Sequence, residues 1–142
     1  MRALLDVNVL LALFDGEHAH HARARAWWVQ NRDQGWASCP LTQNGFIRIM
    51  SSPGYPRPLI VVDALSVLGA QVALPGHAFW PDDVSVFDAT LFHNERILGP
   101  RQLTDVYLLA LAMKHGGRLA TLDQAIPAGA VRGAEDRHVA FI

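Results

Sequence analysis

The amino-acid sequence predicts an α/β protein, a three-layer α/β/α sandwich with a central, mainly parallel sheet. Short apolar runs, which are typical of buried strands, alternate along the chain with longer segments of helical periodicity. Parallel strands need long crossover connections, and the intervening helices supply them, so we expect helices on both faces of the sheet. The 142 residues, of which 51% are hydrophobic and 18% charged, fit a single domain over residues 1–142 with a substantial core.

Six elements are predicted in the first half of the chain, and from the first helix onward they are separated by turns that contain glycine or proline. The opening strand ends abruptly on Asp6, as a buried strand does where it reaches the edge of its sheet. In the last helix, the spacing of Val62, Leu65 and Leu68 predicts a core-facing side. In chain order, the elements are a strand at Arg2–Leu5, helices at Val7–Phe14 and Glu17–Arg32, a strand at Trp36–Cys39, and helices at Leu41–Met50 and Leu59–Leu68.

The second half of the chain contains the strongest helical pattern, Thr104–Lys114, which stops at Gly116-Gly117. The run that follows repeats the pattern of the N-terminus, because a short apolar strand again leads to an aspartate, Asp123. In chain order, the predicted elements are a strand at His77–Trp80, an exposed turn at Pro81–Asp83, a short helix at Val84–Phe87, a loop or frayed helix at Leu91–Arg101, the helix Thr104–Lys114, and strands at Arg118–Leu122 and His138–Ile142.

Charge and cysteine content exclude several classes of protein. The 12 basic and 13 acidic residues give a net charge of −1, so a nucleic acid has to be bound by a local patch or through metal ions. The single cysteine, Cys39, cannot form an intramolecular disulfide, which favours a reducing cytoplasm. No apolar stretch approaches the roughly 18 residues of a membrane span, so we expect no membrane partner. Neither of the common glycine-rich nucleotide-binding motifs occurs.

Three aspartates are the candidate catalytic and metal-binding residues. Asp6 and Asp123 follow apolar strands, and Asp105 lies at the start of the strongest helix. In open parallel sheets the ligand site lies beyond the carboxyl ends of the strands, so these side chains are expected to converge there. Converging carboxylates repel one another unless a cation lies between them, and such oxygen ligands suit Mg²⁺ or Mn²⁺ and phosphodiester chemistry. Each aspartate taken alone is equally well explained as a helix N-cap.

Four sequence blocks resemble those of a known family. In chain order they are Leu4–Leu13, Cys39–Arg48, Leu103–Ala112 and Gly117–Asp123. They resemble the successive blocks of PIN-domain ribonucleases, specifically VapC-type toxins, and the resemblance covers nearly the whole chain. It implies a Mg²⁺-dependent endoribonuclease that cleaves RNA and is neutralised by a cognate antitoxin. It also implies a homodimer or an antitoxin-bound hetero-oligomer.

The resemblance assigns roles to single residues. Asp6, Asp105 and Asp123 match the family's metal-binding carboxylates, and Thr121 belongs to the matching Thr-x-Asp ending, so we count it among the catalytic candidates. Asn8 matches the small polar residue that usually stands beside the first metal ligand, and we assign it to substrate binding.

Three arginines, Arg48, Arg96 and Arg101, are the other candidates for binding the RNA substrate. Arginine suits this role because its planar guanidinium binds phosphate oxygens through two hydrogen bonds at once. A general contribution to surface solubility is the alternative interpretation of the same residues.

Histidines and tryptophans near the second helix have weaker functional interpretations. His18, His20 and His21 suggest a metal site, but a solvated helix face is the favoured interpretation because no carboxylate ligands are evident beside them. For Trp27 and Trp28 we favour an interface over stacking on RNA bases.

Gln43 departs from the family pattern. Relatives generally have a glutamate here that completes a set of four acidic residues, whereas an amide offers a carbonyl acceptor without negative charge. We keep Gln43 among the catalytic candidates because its carbonyl can orient a metal-bound water. The same substitution leaves an alternative open, a catalytically silent PIN-like module that binds RNA or a partner protein without cleaving.

Gln43→Glu is expected to raise the affinity for Mg²⁺, because a further carboxylate would join the other three. A metal titration of both proteins measures the change. An unchanged titration would show that position 43 does not face the ions.

Overall fold

The computed structural model describes all residues, 1–142, as five strands and five helices joined by turns and short 3-10 helices. The strands are β1 (Ala3–Leu5), β2 (Trp36–Ser38), β3 (His77–Phe79), β4 (Arg118–Thr121) and β5 (Val139–Phe141). The helices are α1 (Val7–Phe14), α2 (His21–Asn31), α3 (Pro40–Met50), α4 (Val61–Val72) and α5 (Leu103–Lys114). No helix combines the length and the apolar character needed to cross a membrane.

All strands of the sheet are parallel, and their order is β3-β2-β1-β4-β5. Strand β1 lies in the centre, where Ala3 pairs with Trp36 of β2 on one side and with Arg118 of β4 on the other. The chain runs outward from β1 to β3 and then returns to the other side of β1, so the strand order reverses between β1 and β4. Such a reversal opens a crevice at the carboxyl ends of the two strands. The predicted sandwich with a parallel sheet is therefore confirmed.

One apolar core lies on each face of the sheet. On one face, Leu109 of α5 packs with Leu4 of β1 and Leu119 of β4. On the other, Leu5 of β1 packs with Phe46 of α3 and with the buried side of α1. Successive residues of β1 thus serve opposite cores, as the alternation of side chains along a strand requires. The central strand is consequently fixed by packing on both of its faces.

Helix α3 lies unusually close to α1. It begins at Pro40, which suits the first helical position because no N–H is needed there, and Thr42 Oγ1 accepts a hydrogen bond from the Cys39 N–H at 3.0 Å. One turn later, Gly45 faces α1, and a Cβ at this position would lie 2.6 Å from Cγ2 of Val7. The two helices therefore approach closely because residue 45 has no side chain, and α3 comes to lie beside Asp6.

The predicted helix at Val84–Phe87 is wrong. The segment is irregular and then turns, and Ser85 Oγ accepts a hydrogen bond from the Phe87 N–H at 3.2 Å. Val84 and Val86 pack against the core, whereas Ser85 and Phe87 are exposed. This alternation has a period of two residues, which is the periodicity of an extended chain and not of a helix.

Two further segments differ in detail from the expectations. The helix predicted from Glu17 begins only at His21, because Asp15 Oδ1 accepts the Glu17 N–H at 3.1 Å and holds the chain in a turn. Strand β4 ends at Thr121, so Asp123 lies two residues beyond the strand instead of directly after it. Of the loop or frayed helix expected at Leu91–Arg101, the structure has the loop, with short 3-10 turns and one isolated β-bridge between Phe92 and Val131.

Helix α4 exposes an apolar face that the sequence pattern places in the core. Of the three residues predicted to face inward, only Leu68 is buried, whereas the side chains of Val62 and Leu65 are 59% and 54% exposed. Residues three apart are offset by about 60° around a helix, so Val62 lies about 120° away from Leu68. Ile60 and Val61 are also more than half exposed. The outer face of α4 is thus an apolar surface without a covering element.

Gly117→Ala is expected to destabilise the fold. An added Cβ would lie 2.5 Å from the backbone oxygen of Arg2 and 2.6 Å from the ring of Trp80, so β1 or the buried ring would have to move. Overpacking of this kind costs about 1–3 kcal/mol, which urea denaturation measures as a loss in the free energy of unfolding. Gly69→Ala in α4 is the control, because its Cβ would meet no atom within 4 Å. An equal loss in both variants would contradict the packing explanation.

Candidate active site at the carboxyl edge of the sheet

Asp6 lies directly after the central strand and is almost fully buried, with 6% of its surface exposed. Its backbone N–H donates to the Ala120 oxygen of β4 at 3.0 Å, and its Oδ1 accepts the Val7 N–H at 2.7 Å as the N-cap of α1. Asp6 therefore both caps helix α1 and lies at the carboxyl edge of the sheet. One carboxylate oxygen serves the helix, and the other points toward β4.

Thr121 connects Asp6 to the turn that carries Asp123. Its buried hydroxyl donates to Asp6 Oδ2 at 2.9 Å and accepts the Asp123 N–H at 3.0 Å. A second link runs from the Leu122 N–H to Asn8 Oδ1, at 3.3 Å. Asp123 itself is only partly buried, and its Oδ1 accepts the Ala125 N–H at 2.8 Å. The ends of β1 and β4 are thus joined by side chains at the point where the strand order reverses.

Asp105, in the first turn of α5, completes a group of three carboxyls. Its pKa is raised to about 7, first by burial and then by repulsion from Asp6 and Asp123 and by a hydrogen bond with the Asp123 carboxyl. Burial also raises the pKa of Asp6, against the hydrogen bonds from Thr121 and Val7 that lower it. The three aspartates, more than a hundred residues apart at the extremes, therefore lie within electrostatic reach of one another.

The donor set fits a hard divalent cation, although the side chains do not form a finished cage. No three His, Cys, Asp or Glu side chains are arranged as a ready-made metal cluster. The group instead consists of carboxylates that repel one another, and Asp105 responds with a raised pKa. A cation bound by Asp6, Asp105 and Asp123 would remove this repulsion, and oxygen donors are those that Mg²⁺ and Mn²⁺ prefer.

An open cleft of about 410 Å³ lies beside Asp6. Its walls come from the start of α1, from α3 and from the first turn of α5, where Thr104 precedes Asp105. Asn44 and Arg48 contribute the polar side chains of the α3 wall. The cleft thus opens directly beside Asp6, and of the residues on its α3 wall only Arg48 was predicted from the sequence.

The structure places Gln43 on a different side of α3. Its Nε2 donates to the buried Ser38 hydroxyl at 2.9 Å, and this hydroxyl lies 2.8 Å from Nε2 of His77. Burial lowers the pKa of His77, which favours the neutral ring beside this hydroxyl. The rest of the Gln43 side chain lines the groove between α3 and α4, with Ile47 and Leu65. No hydrogen bond joins Gln43 to any of the three aspartates.

The three candidate arginines lie in different surroundings. Arg48 lines the cleft beside Asp6. Arg101 is exposed in the turn that leads into α5, one helical turn before Asp105. Arg96 donates to the Gly129 oxygen at 3.1 Å and is held in the loop that precedes α5. Arg48 is therefore the arginine that the fold brings to the cleft.

The histidines and tryptophans near α2 have structural partners. His18 Nδ1 accepts the His20 N–H at 3.0 Å, and His21 Nδ1 lies 2.8 Å from the Ala12 oxygen, and these three histidines form no metal cluster. Trp27 and Trp28 are half-buried against the core under α1 and α3. A role of these two tryptophans in an interface stays a prediction.

Comparison with known proteins identifies the family. The PIN domain model matches residues 3–131. Ribonuclease VapC44 of Mycobacterium tuberculosis is 50% identical over 142 residues, which cover all of both chains. In the same organism, Ribonuclease VapC39 is 42% identical over 137 residues (94% of this chain and 96% of that protein), and Ribonuclease VapC38 is 46% identical over 125 residues (87% and 86%). The chain belongs to the PIN-domain family and, within it, to the VapC ribonucleases, which confirms the resemblance seen in the sequence.

Asp105→Asn is expected to remove a pH-dependent loss of stability in the metal-free protein. The pKa of Asp105 is raised from 3.8 to about 7, so the folded protein keeps a proton that the unfolded chain releases. The free energy of unfolding therefore falls as the pH rises between about 4 and about 7. Asparagine carries no titrating proton, so Asp105→Asn lacks this contribution to the pH dependence.

Urea unfolding in EDTA at about pH 5 and about pH 8 measures the effect. Asp63→Asn is the matched control, because Asp63 holds the same third position of α4 but is exposed. Wild type and the control should lose stability toward the higher pH, and Asp105→Asn should lose less. The same pH dependence in all three proteins would contradict the raised pKa of Asp105.

Proposed function

We propose that this protein is a metal-dependent endoribonuclease, the toxin of a toxin–antitoxin pair, which hydrolyses RNA phosphodiester bonds at the carboxyl edge of the sheet. The observation that carries the proposal is the meeting of Asp6, Asp105 and Asp123 where the strand order reverses. Membership of the VapC ribonucleases supports the same activity. The fold, the site and the relatives thus favour one chemistry.

Asp6, Asp105 and Asp123 would hold the cation, which we assign as Mg²⁺ with Mn²⁺ as a substitute. When bound, such a cation polarises the phosphate and lowers the pKa of a coordinated water, which makes it a nucleophile at neutral pH. Thr121 keeps the Asp6 carboxylate in place through its hydroxyl, and Asn8 keeps the adjoining turn in place through Leu122. Thr121 and Asn8 thus position the carboxylates that would bind the cation.

Substrate binding is proposed for the residues around the cleft. The guanidinium of Arg48 is suited to neutralise a phosphate of the bound RNA, because the chain as a whole carries a net charge of −1 and offers no general attraction. Arg101, which lies one helical turn before Asp105, is suited to the neighbouring phosphate. For Asn8 and Arg96 we propose a supporting role, through the turns that they hold.

A cognate antitoxin and a homodimer or an antitoxin-bound hetero-oligomer are the proposed assemblies. The exposed apolar face of α4, with Ile60, Val61, Val62 and Leu65, supports a protein partner because large exposed apolar surfaces mark interaction sites. We propose the cytoplasm as the compartment. Cys39 is buried and unpaired, and burial raises the pKa of its thiol to about 11, which suits a reducing environment.

A catalytically silent module is the second candidate, and Gln43 is the observation that favours it. A neutral amide stands where relatives generally have a carboxylate, and its donor group is engaged by Ser38. A cation held by three carboxylates would be bound more weakly than one held by four, and Gln43, engaged by Ser38, offers it no fourth carboxylate. Binding of RNA or protein without cleavage would then be the remaining activity.

Cleavage of RNA by the purified protein tests the proposal. Wild type should cleave in Mg²⁺ or Mn²⁺ and not in EDTA, and Asp105→Asn should lower the rate at least about 100-fold because a metal ligand is lost. Asp6→Asn keeps an N-capping side chain for α1 and should lower the rate similarly. Asp63→Asn, exposed on α4, should cleave like wild type. Equal background in wild type and both active-site variants would favour the silent module.

A further inference from the structure

The polar residues of α3 are divided between two surfaces. Gln43 and Ile47 line the groove toward α4, whereas Arg48 lines the cleft beside Asp6. Asn44 stands on the border of the two and contributes to the wall of the cleft. Asn44 and Arg48 are four residues apart, so they lie one above the other on the same side of the helix. They form a pair of nitrogen donors that faces the carboxylate end of the sheet.

The close contact between α3 and α1 determines how near this pair lies to Asp6. Gly45, which follows Asn44, also lines the cleft and packs against Val7, the residue after Asp6. Any side chain at position 45 would move α3 away, because the Val7 methyl group lies 2.6 Å from where its Cβ would be. Asn44 is therefore held at the cleft by backbone packing, and its own side chain takes no part in holding the helix.

The side chains of Asn44 and Arg48 have no partners in the protein. Asn44 is exposed and makes no side-chain hydrogen bond, in contrast to Gln43, whose amide is bound by Ser38. Arg48 is exposed and forms no salt bridge, in contrast to Arg57, which pairs with Glu17 at 2.7 Å. Both groups are free to bind a ligand in the cleft without first breaking a bond to the protein.

We propose that Asn44 is a specificity-determining residue, whose carboxamide reads the edge of a base next to the scissile phosphate while Arg48 holds a phosphate one helical turn away. A carboxamide presents a donor beside an acceptor, which matches the edge of a nucleic-acid base, and single-stranded RNA is read through such edges. A guanidinium, in contrast, binds phosphate independently of sequence. The inference rests on the proposed ribonuclease function and adds to it a residue that selects the substrate.

The test compares single-turnover cleavage of a set of RNA oligonucleotides that differ at the nucleotides flanking one scissile bond. Asn44→Ala should reduce the ratio of rates between the best and the other substrates by about 5- to 100-fold, which is the discrimination that one good amide–base contact provides. Arg48→Ala should slow all substrates alike and weaken the salt dependence. Gln30→Ala, an exposed amide of α2 remote from the cleft, is the matched control and should retain both the rates and the ratio.

Binding of the same oligonucleotides, followed by fluorescence anisotropy in EDTA, separates this inference from the proposed function. If wild type cleaves no RNA but prefers certain sequences, and Asn44→Ala loses the preference, the nuclease proposal fails and the role of Asn44 stands. If Asn44→Ala lowers all rates and affinities equally, or changes none, the inference is overturned. It is overturned as well if wild type shows no preference in either assay. Asn44→Ala should unfold at a temperature no lower than wild type, because the side chain is exposed and unbonded and alanine is the better helix former.

Discussion

Repulsion among carboxylates at the end of the central strand is the constraint on which the site depends. Strand β1 pairs on both sides, so Asp6 has no freedom to move away from β4 and the turn that carries Asp123. The start of α5 brings Asp105 to the same place, where burial and then repulsion from the other two carboxyls raise its pKa. The mutual repulsion of these carboxylates is unfavourable at this edge of the sheet. A divalent cation that lay between the charges would relieve it.

The fold was largely predictable because its signals are local. Strand β1 and helix α1 are short apolar runs bounded by a carboxylate and a turn, and the structure gives α1 the predicted bounds, Val7–Phe14. The failures concern segments whose burial is decided by distant contacts. Val84 and Val86 pack against the core under α5, so the segment alternates between half-buried and exposed side chains instead of forming a helix. Val62 faces outward because α4 contacts the core only along a narrow stripe that includes Leu68.

The candidate site was predictable only in part, because only some of its residues lie where a local sequence signal marks the end of an element. Asp6, Asp105 and Asp123 stand at ends of elements, so the topology alone predicts that they converge. The α3 residues are different, because a rotation of α3 by one residue would exchange Gln43 with Asn44 at the cleft. That rotation is fixed by the fit of Gly45 on Val7, a contact between residues 38 positions apart, which no local pattern in the sequence reveals.

The distribution of charge divides the surface between two kinds of partner. Residues 58–95 contain no lysine or arginine but five acidic residues, and they include the exposed apolar face of α4. A phosphate backbone is not attracted to such a surface, because affinity for RNA depends on neutralising phosphates. The unpaired Arg48 and the exposed Arg101, by contrast, lie toward the carboxylates. Residues 58–95 are therefore unsuited to RNA, in contrast to the carboxyl edge that we propose as its site, and the apolar face of α4 suits a protein partner instead.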